Sequence, residues 1–423
     1  MDTLQKIWEY KDLRKKILLT ILILLLTRFL AHVPLPGVDL ARMQSFFSQN
    51  QVFGLLNMFS GGTMSNFSII LMGVGPYINA SIIFQLLGMI IPSIEEIQKD
   101  GEAGRQKITQ WTRMATVPLA MIQGYGMLVL LQNQGIIPSW TIFDLIVMII
   151  SITAGTLILM WLGEIITSSG VGNGMSLIIG LGILSGLPAQ IRNTSAIISS
   201  GDTSKIIGII VFVIVVILTI SAVIFIQEGQ RNIPVTYARK MRQGANAATN
   251  SYLPIRVNIA GVIPIIFAMS ILIIPGVIAK YLENAHTPWI VSSAKFITES
   301  INNQTIYGIL YFLLVIAFTY FYTSVVFKPS QIAENLQKQG GFVPGIRPGT
   351  ETINYLQKII LRITFSGAVF LGIIAVLPII VQSVTNINTL ALGGTGILIV
   401  VSVVIEVSRQ INSLIMMHTY DRY

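Results

Sequence analysis

Long apolar runs separated by short polar stretches organise this chain. Ile206–Ile226 carries neither a charge nor a proline over 21 residues. A run of about 20 apolar residues is long enough to cross a bilayer as one helix. The same pattern predicts ten spans: near Ile17–Val33, Phe67–Ile91, Met114–Leu131, Phe143–Leu162, Gly174–Leu187, Ile206–Ile226, Ile259–Val277, Ile306–Phe327, Ile363–Val381 and Leu392–Ile405. Gly174–Leu187 and Leu392–Ile405 are short for a bilayer, so they are expected to extend into neighbouring polar residues or to sit at a thin place. No span carries a single charged face, which argues against a coat lying on the membrane surface.

Composition agrees. Of 423 residues, 53% are hydrophobic and 11% charged, where a soluble protein has about 25% charged. One buried helix can be wholly apolar, but ten in succession cannot share one soluble core. Cysteine is absent, so no disulfide framework exists. The first apolar run leads into Pro34, Pro36 and Gly37 rather than a small-residue cleavage pattern, and is expected to be a retained span.

Charge placement sets the orientation. Of the 27 Lys and Arg residues, 21 fall in the two tails and in the connections after the second, sixth and eighth spans. The other six are Arg28, Arg42, Arg192, Lys205, Lys280 and Lys295. This is the positive-inside bias. It needs an even number of spans, with both ends on the cytoplasmic side.

Several runs are interrupted. Asn57–Met64 reads NMFSGGTM, too short to span, and Gly61-Gly62 costs helix propensity. It is either an outer loop or a re-entrant element in an aqueous funnel, since irregular backbone at membrane depth needs protein or water around it. Pro76 should kink or start a helix in the second span. Asn79 and Gln85, lower in that span, must face other helices or water. Ile78 and Ile82 lie four apart on one face, as do Met175 and Ile179. The stretch SSGVGNGMSLIIG, Ser168 to Gly180, is read as close helix packing or a flexible entry, not a dinucleotide fingerprint. Pro264 and Pro275 interrupt the seventh span.

Two connections of some length, 228–256 and 328–362, mix basic residues with glycine and proline. They either touch anionic head groups or dock a cytosolic partner. Arg347 sits in VPGIRPG, a turn that holds its guanidinium fork in a fixed direction. His32, His286 and His418 are scattered, and no hydrolase, metalloprotease or phosphate-loop motif is present. No enzyme, catalytic residue, metal or cofactor is expected. Asp144, Glu164 and Glu406 lie near span ends, and the scarcity of ionisable groups inside spans argues against an ion-coupled pump. A solute transporter would need a polar midplane cluster, offered only weakly by Asn79, Gln85 and Asn258.

NMFSGG at 57–62, GPYINASIIFQLL at 75–87, GVGNGMSLII at 170–179, QEGQRNIPVTYARK at 227–240, RVNIAGVIPIIFA at 256–268 and PGIRPGTET at 344–352 resemble, in order, the motifs of the SecY family, the channel-forming subunits of the bacterial Sec translocase. The resemblance covers the first span to the last. It implies an all-α polytopic protein of ten helices, a clam shell of two pseudo-symmetric halves, 1–200 and 201–423, around an hourglass pore. Spans two, three, seven and eight would form a lateral gate. The ring at the waist would comprise Ile78, Ile82, Met175, Ile179, Ile266 and one of Ile397, Leu398 and Ile399, Leu398 being the choice. Met175 departs from the branched pattern and should seal less stiffly. The plug, near 57–66, would centre on Asn57, Met58, Phe59, Ser60, Gly61, Gly62, Thr63 and Met64. Arg239, Lys240, Arg242 and Arg347 would dock partners. Those implied are the small membrane subunits SecE and SecG, the motor ATPase SecA, the ribosome, signal-bearing substrate polypeptides and membrane lipid. The implied location is the bacterial plasma membrane, and the implied activity is passive conduction of unfolded chains, with membrane spans released sideways.

Overall fold

The computed structural model describes residues 10–35, 43, 57, 60, 62–133, 135–137, 141–199, 203–237, 251–282, 287–385 and 388–420. The helices are α1 Lys11–Leu30, α2 Gly75–Ile90, α3 Pro92–Lys99, α4 Gly101–Asn133, α5 Ile142–Ser169, α6 Gly174–Ser199, α7 Thr203–Glu228, α8 Ile263–Leu282, α9 Pro288–Asn302, α10 Gln304–Val326, α11 Pro329–Lys338, α12 Thr350–Thr385 and α13 Asn388–Tyr420. The strands are β1 Gln230–Tyr237, β2 Ser251–Arg256 and β3 Gly341–Phe342.

Each expected span has a helix at its place. Among the described residues, six helical stretches are long and apolar enough to cross a membrane, and α2 with α3 makes a seventh as a pair bent by 109°. The bend falls where Pro92 forces Ile91 into an extended conformation. α1 carries too many basic residues to meet the same standard, and the apolar parts of α6 and α8 are shorter. The chain is a multi-pass membrane protein.

One boundary differs from expectation, and the two spans that read as short extend into neighbouring polar residues, the first of the two outcomes expected of them. The second span was expected from Phe67, but its helix starts at Gly75, with Pro76 in the first turn, where a missing N–H costs nothing. Residues before it form turns, with Phe67 at φ 44° and Gly73 at φ 55°. α6 runs past Leu187 to Ser199, through Pro188. α13 continues past Ile405 to Tyr420, so the tenth span is not short. The helix α9 lies in a connection where none was expected.

The chain divides into two compact units: Met1–Ile206 with Gly276–Asn302 and Val403–Tyr423, and Ile207–Pro275 with Asn303–Ser402. In the first unit, Leu128, Leu131 and Ile152 of α4 and α5 pack with Phe67 and Leu71, all 0% exposed. A second cluster joins Ile23 of α1 to Leu162 and Ile166 of α5. Buried threonines return their hydroxyls to their own helix: Thr112 donates to Ile108 O at 2.9 Å and Thr116 to Thr112 O at 2.7 Å. This satisfies polar groups where no water competes.

In the second unit, α10 and α12 pack closely because Gly308 lies against Val376 and Gly372 against Phe312. Phe267 of α8 meets Phe318 and Tyr322 of α10 edge to face, with ring centroids 6.1 and 6.3 Å apart. The two basic connections, read from sequence as separate loops, fold together. β1 pairs antiparallel with β2 from Gln230↔Arg256 to Val235↔Ser251, and with β3 at Thr236↔Phe342 and Tyr237↔Gly341. The sheet order is β2-β1-β3. Ile233, Ile255, Val343, Leu356, Ile359 and Ile363 form its core, so the sheet stands on the first turns of α12. The helical architecture therefore carries one small three-stranded sheet.

Candidate functional site

Of the residues expected in the plug, Asn57, Ser60, Gly62, Thr63 and Met64 are described, while Met58, Phe59 and Gly61 lie outside the described residues. The described residues are tied into a knot by hydrogen bonds among themselves. The Asn57 carbonyl accepts from Gly62 N at 2.8 Å and from the Ser60 hydroxyl at 2.9 Å. The Asn57 side-chain carbonyl accepts from Ser65 N at 2.8 Å. Gly62, at φ 78°, supplies the left-handed turn that closes this ring of bonds. Thr63 donates to Ser60 O at 3.0 Å.

Beyond the knot the chain is anchored twice. Leu35 N donates to Phe67 O at 2.8 Å and Ile69 N to Val33 O at 3.0 Å, tying it to the end of α1. Met64 and Phe67 are buried against α4 and α5. Gly73 brings its backbone onto Ser60, where a Cβ would come within 3.2 Å of Ser60 Cα. The knot therefore rests directly on the start of α2.

The expected ring residues divide between the units: Ile78, Ile82, Met175 and Ile179 belong to the first, Ile266 and Leu398 to the second. Ile82, Ile179, Ile266 and Leu398 are buried, and Ile78 and Met175 are half-buried. Leu398 and Ile399 are at 1% and 0% exposure, so burial does not choose between them.

The glycine-rich approach to Met175 is close packing, not a flexible entry. Gly174 lies on the Gly163 carbonyl of α5, with no room for a Cβ. Three side chains from other elements hold the turn: Thr20 Oγ1 accepts from Val171 N at 3.1 Å, Thr167 Oγ1 from Gly174 N at 2.9 Å, and Gln410 Oε1 from Gly172 N at 2.6 Å. Asn173 caps α6 by accepting from Met175 N and Ser176 N. The thioether of Met175 packs on Gly163.

Of the expected docking residues, Arg239, Lys240 and Arg242 lie outside the described residues. Arg347 is exposed beside the sheet. Ile346 packs on the sheet core, Gly345 and Gly349 take φ 80° and 101°, and the Thr352 hydroxyl donates to Arg347 O at 2.9 Å. These bonds fix the backbone from which the guanidinium projects.

Two of the polar groups weighed for a midplane binding cluster, Asn258 and Gln85, are engaged within their own elements. Asn258 spends its amide on a turn, donating to Gly261 O and accepting from Gly261 N. Gln85 donates to Ser81 Oγ at 3.3 Å within α2. Among the described residues no cluster of His, Asp and Glu is placed to hold a metal. One polar contact that the sequence did not pair is Arg113 Nε donating to Glu164 Oε1 at 2.7 Å, between α4 and α5.

A family model described as SecY matches residues 68–408. The chain is 40% identical over 97% of its length to a protein translocase subunit SecY of Streptomyces coelicolor, covering 97% of that protein. Its fold matches a solved protein conducting channel with TM-score 0.65, at 18% identity, covering 94% of this chain and 91% of that one. A second match, TM-score 0.62 at 19% identity over the same shares, is a structure reported with the finding that the plug domain of the SecY protein stabilises the closed state of the translocation channel and maintains a membrane seal.

Proposed function

This chain belongs to the SecY family, and on that premise we propose that it works as the central, passive pore of a protein translocase. It conducts unfolded secretory chains across a bacterial plasma membrane and releases apolar spans sideways into lipid. The observation that carries this reading is the 40% identity, over 97% of the chain, to a translocase subunit. Both termini lie in the cytoplasm, and the chain has no catalytic chemistry of its own. Directional movement comes from the motor SecA or from the ribosome, with SecE and SecG as small membrane partners.

The waist is a ring of Ile78, Ile82, Met175, Ile179, Ile266 and Leu398, set between the halves 1–200 and 201–423. An apolar constriction resists wetting when narrow and makes no strong bond to a polar segment passing through. Segments apolar enough to prefer lipid leave once a side exit opens. The knot around Asn57–Met64 is the plug. Its internal hydrogen bonds support that reading, because a body that moves as a unit must hold its own shape. Arg347, Arg239, Lys240 and Arg242 form the docking face. The stiff turn beneath Arg347 supports this role, since a preorganised fork loses less entropy on pairing with carboxylate or phosphate.

Reconstitution tests the proposal. Vesicles carrying this chain with its two small partners and the motor should import a secretory precursor in an ATP-dependent way. Absence of import, where an established translocase works, contradicts it.

A further inference from the structure

We propose that the Arg113–Glu164 ion pair is a positioning clasp that joins α2 with α4 to α5 with α6, and so sets the resting position of the constriction residues in the first unit. The proposal rests on the reading of Ile78, Ile82, Met175 and Ile179 as constriction residues. The pair links residues 51 apart in sequence. Its two members sit beside the points where the ring-bearing helices pack. Two residues before Arg113, Trp111 meets Phe84 of α2 with ring centroids 6.2 Å apart. One residue before Glu164, Gly163 receives the α6 start: its own added Cβ would come within 2.8 Å of Met175 Sδ and Cε. Tyr77, next to Ile78 on α2, lies close enough to interact electrostatically with both charges.

Glu164 has 20% of its side chain exposed and Arg113 49%. A pair of that exposure adds little to folding. Its placement gives it a different use. A closed and an open arrangement that differ slightly in free energy change population when one contact present in only one of them is removed. Breaking the clasp lets α2 and α4 part from α5 and α6, so a weaker signal suffices to open the pore.

The test uses the assembled translocase and a precursor whose signal sequence has been weakened. Glu164→Gln removes the charge and keeps the shape. Its expected effect is to raise import of that precursor roughly two- to five-fold, the factor an ion pair of this exposure is worth, with import of the intact precursor unchanged. The exchanged pair Arg113→Glu with Glu164→Arg should return import toward the wild-type level. Arg113→Lys, a milder change at the other end, should give a smaller rise. The clasp is overturned if Glu164→Gln and Arg113→Lys both accumulate normally and import the weakened precursor at the wild-type rate, or if the exchanged pair behaves like the single variant. Ile82→Asn separates the two readings. It should raise resting ion conductance if the constriction is correctly placed. Wild-type conductance in Ile82→Asn, with an active Glu164→Gln, refutes the constriction and leaves the helix joint standing.

Discussion

The Thr352 hydroxyl donates to the backbone carbonyl of Arg347 at 2.9 Å, across a turn that contains Pro348 and Gly349. Thr352 is buried at the start of α12 while Arg347 is exposed. The bond transmits the rigidity of a membrane helix to an arginine that faces water. Arg347→Glu should therefore lower motor-driven import steeply, by about 1.5–3 kcal/mol of docking free energy for a lost charge-assisted contact, without altering assembly. Thr352→Val should act in the same direction but more weakly. Import rates at limiting motor concentration measure both.

The sheet beneath that turn depends on a small core. Leu356 is 0% exposed at its centre. Leu356→Ala should cost about 2–5 kcal/mol locally, which a body of this size cannot absorb. Hydrogen exchange at β1, β2 and β3 should accelerate while exchange in α10 stays slow. Unchanged protection of the three strands would show that the sheet does not stand on α12.

The knot at Asn57 predicts a leak phenotype. Deleting residues 57–64 should raise resting ion conductance and leave import active, because a separate constriction still seals around a passing chain. Asn57→Ala, which strips Ser65 N of its partner, should loosen the knot by about 0.5–1.5 kcal/mol and leak less than the deletion. Wild-type conductance in the deletion would remove the plug assignment.

Two glycines of α6 should respond oppositely to alanine. At Gly174 a Cβ collides with the Gly163 carbonyl, and backbone cannot yield as a side-chain tip can. Gly174→Ala should prevent accumulation of the protein. At Gly186 no atom of the described residues beyond its own helix backbone lies within 4 Å of the added methyl, so Gly186→Ala should be neutral or stabilising by up to about 1 kcal/mol, the helix-propensity gain. Steady-state levels and melting of the purified variants compare the two.

Much of the fold was legible because a bilayer demands long apolar runs, and ten of them stood out by hydropathy alone. The motifs from NMFSGG to PGIRPG then carried the family. What hydropathy missed were features set by contact. The sheet left a faint trace: Ile233, Val235 and Tyr237 fall at every second position, as do Leu253 and Ile255. Pro234 and Pro254 sit inside those short runs and argue against strands. β3, two residues long, has no pattern to read. The turns before Gly75 read as part of a span because Ile69, Ile70 and Leu71 are apolar, though Ile70 and Leu71 are buried and Ile69 partly buried against protein. Glycines at 170, 172 and 174 pointed to either tightness or freedom. Only the positions of Thr20, Thr167 and Gln410 decide for tightness. Arg113 and Glu164, 51 residues apart, gave no sequence sign of pairing.

The central claim is that a translocating polypeptide passes Ile82. The chain has no native cysteine, so one cysteine at Ile82 and one in a precursor stalled midway can be oxidised without background. Disulfide formation at Ile82, and none at Ile122, which is 67% exposed on α4, is the predicted result. Import that proceeds with no bond at Ile82, or with equal bonding at Ile122, would contradict the account.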